Sequence, residues 1–101
     1  MTKSSFLSKR SVLAVPGSSE KMIQKARFLN PDEIFLDLED SVSHSEKETA
    51  RSLVIIELNK GGFNSSSVAV RVNDQNQLIG VEDIEQIISK VSSKLDSIII
   101  P

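Results

Sequence analysis

The chain has 101 residues and a formal net charge of −2, so it carries no basic field of the kind that holds a polyanion. Its aromatics are four phenylalanines and its basic residues are scattered, which argues against a stacking platform for nucleic acid. It has no cysteine, which excludes disulfides, thiolate metal sites and a cysteine nucleophile, and no apolar run nears the ~18 residues of a membrane span.

Residues 1–10 are basic and serine-rich and read as an N-terminal arm, with only a faint likeness to a transit peptide. Residues 11–15 read as a buried strand ended by Pro16-Gly17. Ser18 or Ser19 then caps a helix whose first turn holds Glu20, with Met22, Ile23, Ala26 and Leu29 at helical spacing. Asn30-Pro31-Asp32 stops it, because a residue before proline avoids helical geometry. Residues 33–38 form the second strand. Ser45 and Glu48, three apart, read as a capping box for a second helix with Ala50, Leu53, Val54 and Leu58 on its stripe. Ile55-Ile56 widens that stripe, which predicts a helix covered on more than one side, and Gly61-Gly62 ends it. Residues 67–72 are the third strand. A polar loop, residues 73–77, leads to a helix carrying Val81, Ile84, Ile87, Ile88 and Val91, and residues 97–100 are a fourth strand.

The order is β-α-β-α-β-α-β. Alternation with apolar strands predicts an α/β fold, a parallel sheet covered by helices through right-handed crossovers. Four strands and three helices match the first half of a (β/α)8 TIM barrel, a fold that takes ~250 residues. Such a half-barrel exposes unpaired edges and an apolar face, which predicts an oligomer or a marginally stable chain.

Chemistry concentrates at two predicted strand ends. Asp37-Leu38-Glu39-Asp40 closes the second strand with three carboxylates, and Val70-Arg71-Val72-Asn73 places an arginine at the end of the third. In parallel α/β folds ligands collect at the carboxyl ends of strands, so the pair suggests a site for a metal or an anionic small molecule. Asp37 alternates with Glu39 and shares its side of the strand. If that side is interior, Asp37 needs a buried partner, for which Arg71 and Arg10 are the candidates. His44 follows the acidic turn and reads as a solvated or capping loop residue.

Three ordered motifs carry a resemblance: residues 10–17 (RSVLAVPG), residues 37–42 (DLEDSV) and residues 70–73 (VRVN). Together with the closing residues 95–101 they resemble the citrate lyase β-subunit-like family of the HpcH/HpaI aldolase superfamily. The resemblance implies a cytoplasmic TIM-barrel lyase, usually a trimer or larger homo-oligomer. It implies Mg²⁺-dependent carbon–carbon cleavage of acyl-CoA esters such as citryl-CoA or malyl-CoA. It places the substrate-engaging arginine on Arg71 and the acidic turn near the metal on Glu39 and Asp40. The segment meeting the CoA falls on residues 18–21, with Ser18 and Lys21 as contacts. Two departures stand out. Ala14 occupies a position where many CoA-using members carry an aromatic, and the family's direct magnesium ligands, one Glu and one Asp, would fall past Pro101. The chain is therefore expected to be the N-terminal half of a lyase domain, inactive alone. A 2-oxo-acid aldolase is the alternative, against which Asp40 argues, since that branch usually has histidine in the turn. A non-catalytic half-barrel that serves assembly is a third reading.

Overall fold

A computed structural model describes residues 10–101. Apart from Arg10, the proposed N-terminal arm lies outside the described residues. Four strands form one parallel sheet in sequential order: β1 (Val12–Pro16), β2 (Glu33–Asp37), β3 (Ser67–Arg71) and β4 (Ser97–Ile99). Helices α1 (Glu20–Phe28), α2 (Lys47–Lys60) and α3 (Leu78–Lys90) connect them, with a short 3-10 turn, His44–Glu46, before α2. The expected β-α-β-α-β-α-β order is the observed one.

The core follows from alternation along the strands. Val15, Ile34, Leu36, Val68 and Val70 are buried in one cluster with Ile23, Ala26, Val54, Leu58 and Ile87 of the helices. Each such valine, leucine or isoleucine stabilises the fold by about 1.5–3 kcal/mol relative to an exposed one. The intervening residues stand on the other face of the sheet. Register aligns them in rows: Ala14, Phe35 and Ala69, then Pro16, Asp37, Arg71 and Ile99 at the carboxyl ends.

Local chemistry sets the helix ends. Ser19 caps α1, its hydroxyl accepting from the Met22 N–H at 3.1 Å, and Glu20 in the first turn complements the helix dipole. Gly61, at φ 66°, caps α2. The Ser45–Glu48 capping box does not form. The 3-10 turn intervenes, and the bonded pair is two residues earlier, Ser43 Oγ donating to Glu46 Oε1 at 3.1 Å. Of the pair expected to widen the α2 stripe, Ile55 is buried and Ile56 is exposed, and it is Arg51 and Glu57 that are buried alongside the apolar residues. Two apolar stripes are narrower than expected. Met22 and Leu29 of the first and Val81 and Ile88 of the third are exposed.

Candidate functional site

The carboxyl ends of β1, β2 and β3 are stitched together by backbone bonds just past the strands. Gly17 N–H donates to Asp37 O at 2.7 Å, and Leu38 N–H to Arg71 O at 2.9 Å. The first contact requires glycine, since a Cβ at Gly17 would lie 2.7 Å from Asp37 O and 2.9 Å from Val54 Cγ2. The Asp37 backbone is thereby held from both sides.

Its side chain is held more firmly still. Asp37 is 3% exposed. Oδ1 accepts from Arg71 Nε at 2.9 Å and from the Glu39 N–H at 2.9 Å. Oδ2 accepts from Arg71 Nη2 at 3.0 Å, the Ser41 N–H at 3.0 Å and the Ser41 hydroxyl at 2.7 Å. Burial pushes the Asp37 carboxyl up, but Arg71 and the Glu39 and Ser41 donors outweigh it and hold the group well below the ordinary carboxylate range. Asp37 also hydrogen-bonds back onto the chain and curls it into the turn that carries Glu39 and Asp40. Arg71 is thus the partner of Asp37, and Arg10 is exposed.

Arg71 sits over Phe35, with Cζ 5.5 Å from the ring centroid. The Asp37 hydrogen bond raises the pKa of its guanidinium, against a smaller opposing effect of burial. Nε and Nη2 face Asp37, while Nη1 makes no hydrogen bond among the described residues. Beside it stand Glu39 Oε1, 3.7 Å from Nε, and Asp40 Oδ2, 3.7 Å from Nη2. Desolvation, followed by the adjacent Asp40, raises the Glu39 carboxyl pKa. Three carboxylates around one guanidinium leave the mouth electronegative, a field that favours a cation.

The guanidinium opens into a cleft of about 400 Å³ lined by Ala14, Pro16, Met22, Asp37, Asp40 and Arg71, among others. One wall is charged and the other, from β1 and α1, is apolar. The structure therefore brings Arg71, Glu39 and Asp40 together. Neither Ser18 nor Lys21 lines that cleft. Ser18 lines a cavity of about 40 Å³ with Glu46, Thr49, Ala50 and Leu53, and Lys21 is exposed in the first turn of α1. His44 is exposed.

Two contributors were missed in the sequence. Ser41 completes the shell around Asp37, and although it falls within the 37–42 motif, its spacing from Asp37 alone does not mark it as a partner. Lys47 donates from Nζ to Leu38 O at 3.1 Å and Glu39 O at 2.9 Å, closing the acidic turn from α2. A lysine on an exposed helix start gives no hint of that role. No cluster of three or more His, Cys, Asp or Glu able to hold a metal occurs among the described residues, and among them no helix is long and apolar enough to cross a membrane.

The model of the family described as HpcH/HpaI aldolase/citrate lyase matches residues 10–101. A relative named (3S)-malyl-CoA thioesterase, from Cereibacter sphaeroides strain KD131, is 41% identical over 92 residues, covering 91% of this chain and 31% of its own length. A citrate lyase subunit beta from Haemophilus influenzae is 36% identical over 80 residues, covering 79% of this chain and 28% of its own length. Among solved structures, RipC from Yersinia pestis superposes with a TM-score of 0.63 at 29% identity, covering 92% of this chain and 34% of that one. The chain thus spans about a third of the length of the relatives it matches.

Proposed function

The chain belongs to the HpcH/HpaI aldolase/citrate lyase family, and from that premise we propose that it supplies the carboxylate-anchoring mouth of a carbon–carbon lyase acting on acyl-CoA esters of the malyl-CoA or citryl-CoA type. Its four-stranded parallel unit is part of the family's TIM-barrel-like architecture. The observation that carries the proposal is the Asp37–Arg71 pair. Asp37 fixes the plane of the guanidinium through two hydrogen bonds and leaves Nη1 without a hydrogen bond among the described residues. A preorganised fork of this kind binds carboxylate oxygens without first having to be ordered.

In the cleavage, the substrate hydroxyl loses its proton, the carbon–carbon bond breaks, and the electron pair passes to the thioester as an enolate that is then protonated. Malyl-CoA gives glyoxylate and acetyl-CoA by this route. Arg71 holds the carboxylate beside the breaking bond and keeps the developing carbonyl oriented. Ala14, Pro16 and Met22 form the apolar wall on the opposite side.

The donor set also fits magnesium, which prefers oxygen and keeps several waters. Glu39 and Asp40 are hard oxygen donors beside an electronegative mouth. Asp37 cannot serve, because its oxygens already accept five hydrogen bonds. With no cluster of three ligands among the described residues, Glu39 and Asp40 would hold the ion through its water molecules. When bound, magnesium supplies Lewis acidity toward the substrate oxygen on which charge builds.

A hydrolytic reading has its own support, the relative named as a thioesterase. The test begins with calorimetric titration of malyl-CoA into the chain with magnesium. Binding that Arg71→Lys weakens supports the anchoring role, and binding indifferent to that change, or none, refutes it. Where turnover is seen, glyoxylate with acetyl-CoA identifies the lyase, and malate with free CoA the thioesterase.

A further inference from the structure

A second polar cluster lies directly beyond the arginine strand, with no place in the chemistry above. Asp83, in the middle of α3, is 0% exposed and Asn73 is 3% exposed. Asp83 Oδ2 accepts from both the Asn73 backbone N–H, at 2.9 Å, and the Asn73 Nδ2, at 2.7 Å. Its Oδ1 accepts from Arg51 Nη1 of α2 at 3.1 Å. Gln75 Nε2 bridges Asn73 O and Gly80 O at 3.0 and 2.7 Å, tying the same loop to the first turn of α3.

As a device for stability alone this cluster is a poor choice. Burying a carboxylate and a guanidinium carries a desolvation penalty that apolar side chains of the same size would avoid. Arg51 Nε is moreover buried without a hydrogen-bond partner among the described residues. What the cluster achieves is position. Asn73 stands two residues after Arg71, and the intervening Val72 N–H is bonded to Ile99 O at 3.1 Å. Asp83 grips the main chain and the side chain of one residue, which fixes the point where β3 leaves the sheet.

We propose that Asp83 is a positioning residue for Arg71: anchored by Arg51, it clamps Asn73 and so holds the arginine fork in register with Asp37 and Nη1 in the cleft. The inference rests on the reading of Arg71 as the carboxylate anchor. It extends that site to residues that touch no substrate.

The test follows the Arg71 Nε–H by ¹⁵N NMR in the whole chain, comparing Asp83→Asn with Glu57→Gln. The latter disrupts a separate buried ion pair, Arg27–Glu57. The clamp predicts that Asp83→Asn speeds exchange of the Arg71 Nε–H about tenfold or more, the scale of one lost hydrogen bond. Leu36 and Val70 amides keep their protection, and Glu57→Gln leaves the Arg71 signal unmoved. Unchanged Arg71 exchange in folded Asp83→Asn overturns the proposal. So does an equal effect from Glu57→Gln, or an Nε–H too labile to observe in the parent chain. Should Asp83→Asn fail to fold, Asn73→Ala removes only the side-chain half of the grip, and Arg71 exchange unaffected by it overturns the proposal equally. Adding malate separates the two claims. An Arg71 resonance in the parent chain that ignores malate removes the anchoring reading while leaving the clamp intact.

Discussion

Replacing Asp37 by asparagine should unfold this protein far more readily than its small change in shape suggests. Every group facing the carboxylate is a donor: Arg71 Nε and the Glu39 N–H at Oδ1, and Arg71 Nη2, the Ser41 N–H and the Ser41 hydroxyl at Oδ2. An amide must turn an NH2 toward one side or the other. Toward the Oδ1 side it confronts Arg71 Nε and Glu39 N–H, and toward the Oδ2 side Arg71 Nη2 and Ser41 N–H. Only the hydroxyl can rotate to accept. Two donors are stranded in either orientation, and the guanidinium loses its counter-charge, so the cost is about 3–5 kcal/mol. Urea unfolding at pH 7, followed by circular dichroism, reads this as a midpoint lowered by about 2 M, or as a variant unfolded without urea. The pH dependence has a fixed sign. Because the folded Asp37 carboxyl lies below its unfolded value of about 3.9, its contribution is complete above that pH and is lost as the pH falls through the folded value. The gap between parent and variant should therefore hold from pH 7 to about 4.5 and narrow only in stronger acid. A variant within about 0.5 kcal/mol of the parent at pH 7 would refute the reasoning, because that is the range of inert surface changes.

Arg71→Lys should leave the fold largely intact while lowering affinity for malate or malyl-CoA by roughly 10- to 100-fold, since an ammonium cannot bind Asp37 and a ligand in one plane; calorimetry checks it. Gly17→Ala should cost about 1–3 kcal/mol by pressing a methyl against Asp37 O and Val54, read as a lowered thermal midpoint. The pair Glu39→Gln with Asp40→Asn should weaken magnesium binding at least about tenfold in a titration followed by NMR, with the core amides unmoved.

The architecture could be read from apolar strands alternating with capped helices, because each element's period is written locally. The acidic turn and Arg71 stood out for a related reason, being charged groups at the ends of apolar runs. The pairing of Asp37 with Arg71 was one of two options that alternation left open, and parallel register decided it. What stayed hidden depends on distant partners. Arg51, Glu57 and Asp83 sit at helix positions that a polarity pattern assigns to solvent, yet each is buried because its counterpart lies on another element. The capping box expected for α2 does not form because a 3-10 turn leads into the helix and puts Glu46, not Ser45, at its N-cap position, where no side chain caps it. Alternation could not say how far the stripes of α1 and α3 extend. That depends on what packs beside each helix.

The decisive measurement is a crystal structure of the chain with malyl-CoA and magnesium. The account predicts a substrate carboxylate oxygen within hydrogen-bond reach of Arg71 Nη1, about 2.7–3.2 Å, with Asp37 still gripping the opposite edge of the guanidinium. A ligand seated away from β2 and β3, or an Arg71 that abandons Asp37 and points out of the cleft, would contradict it.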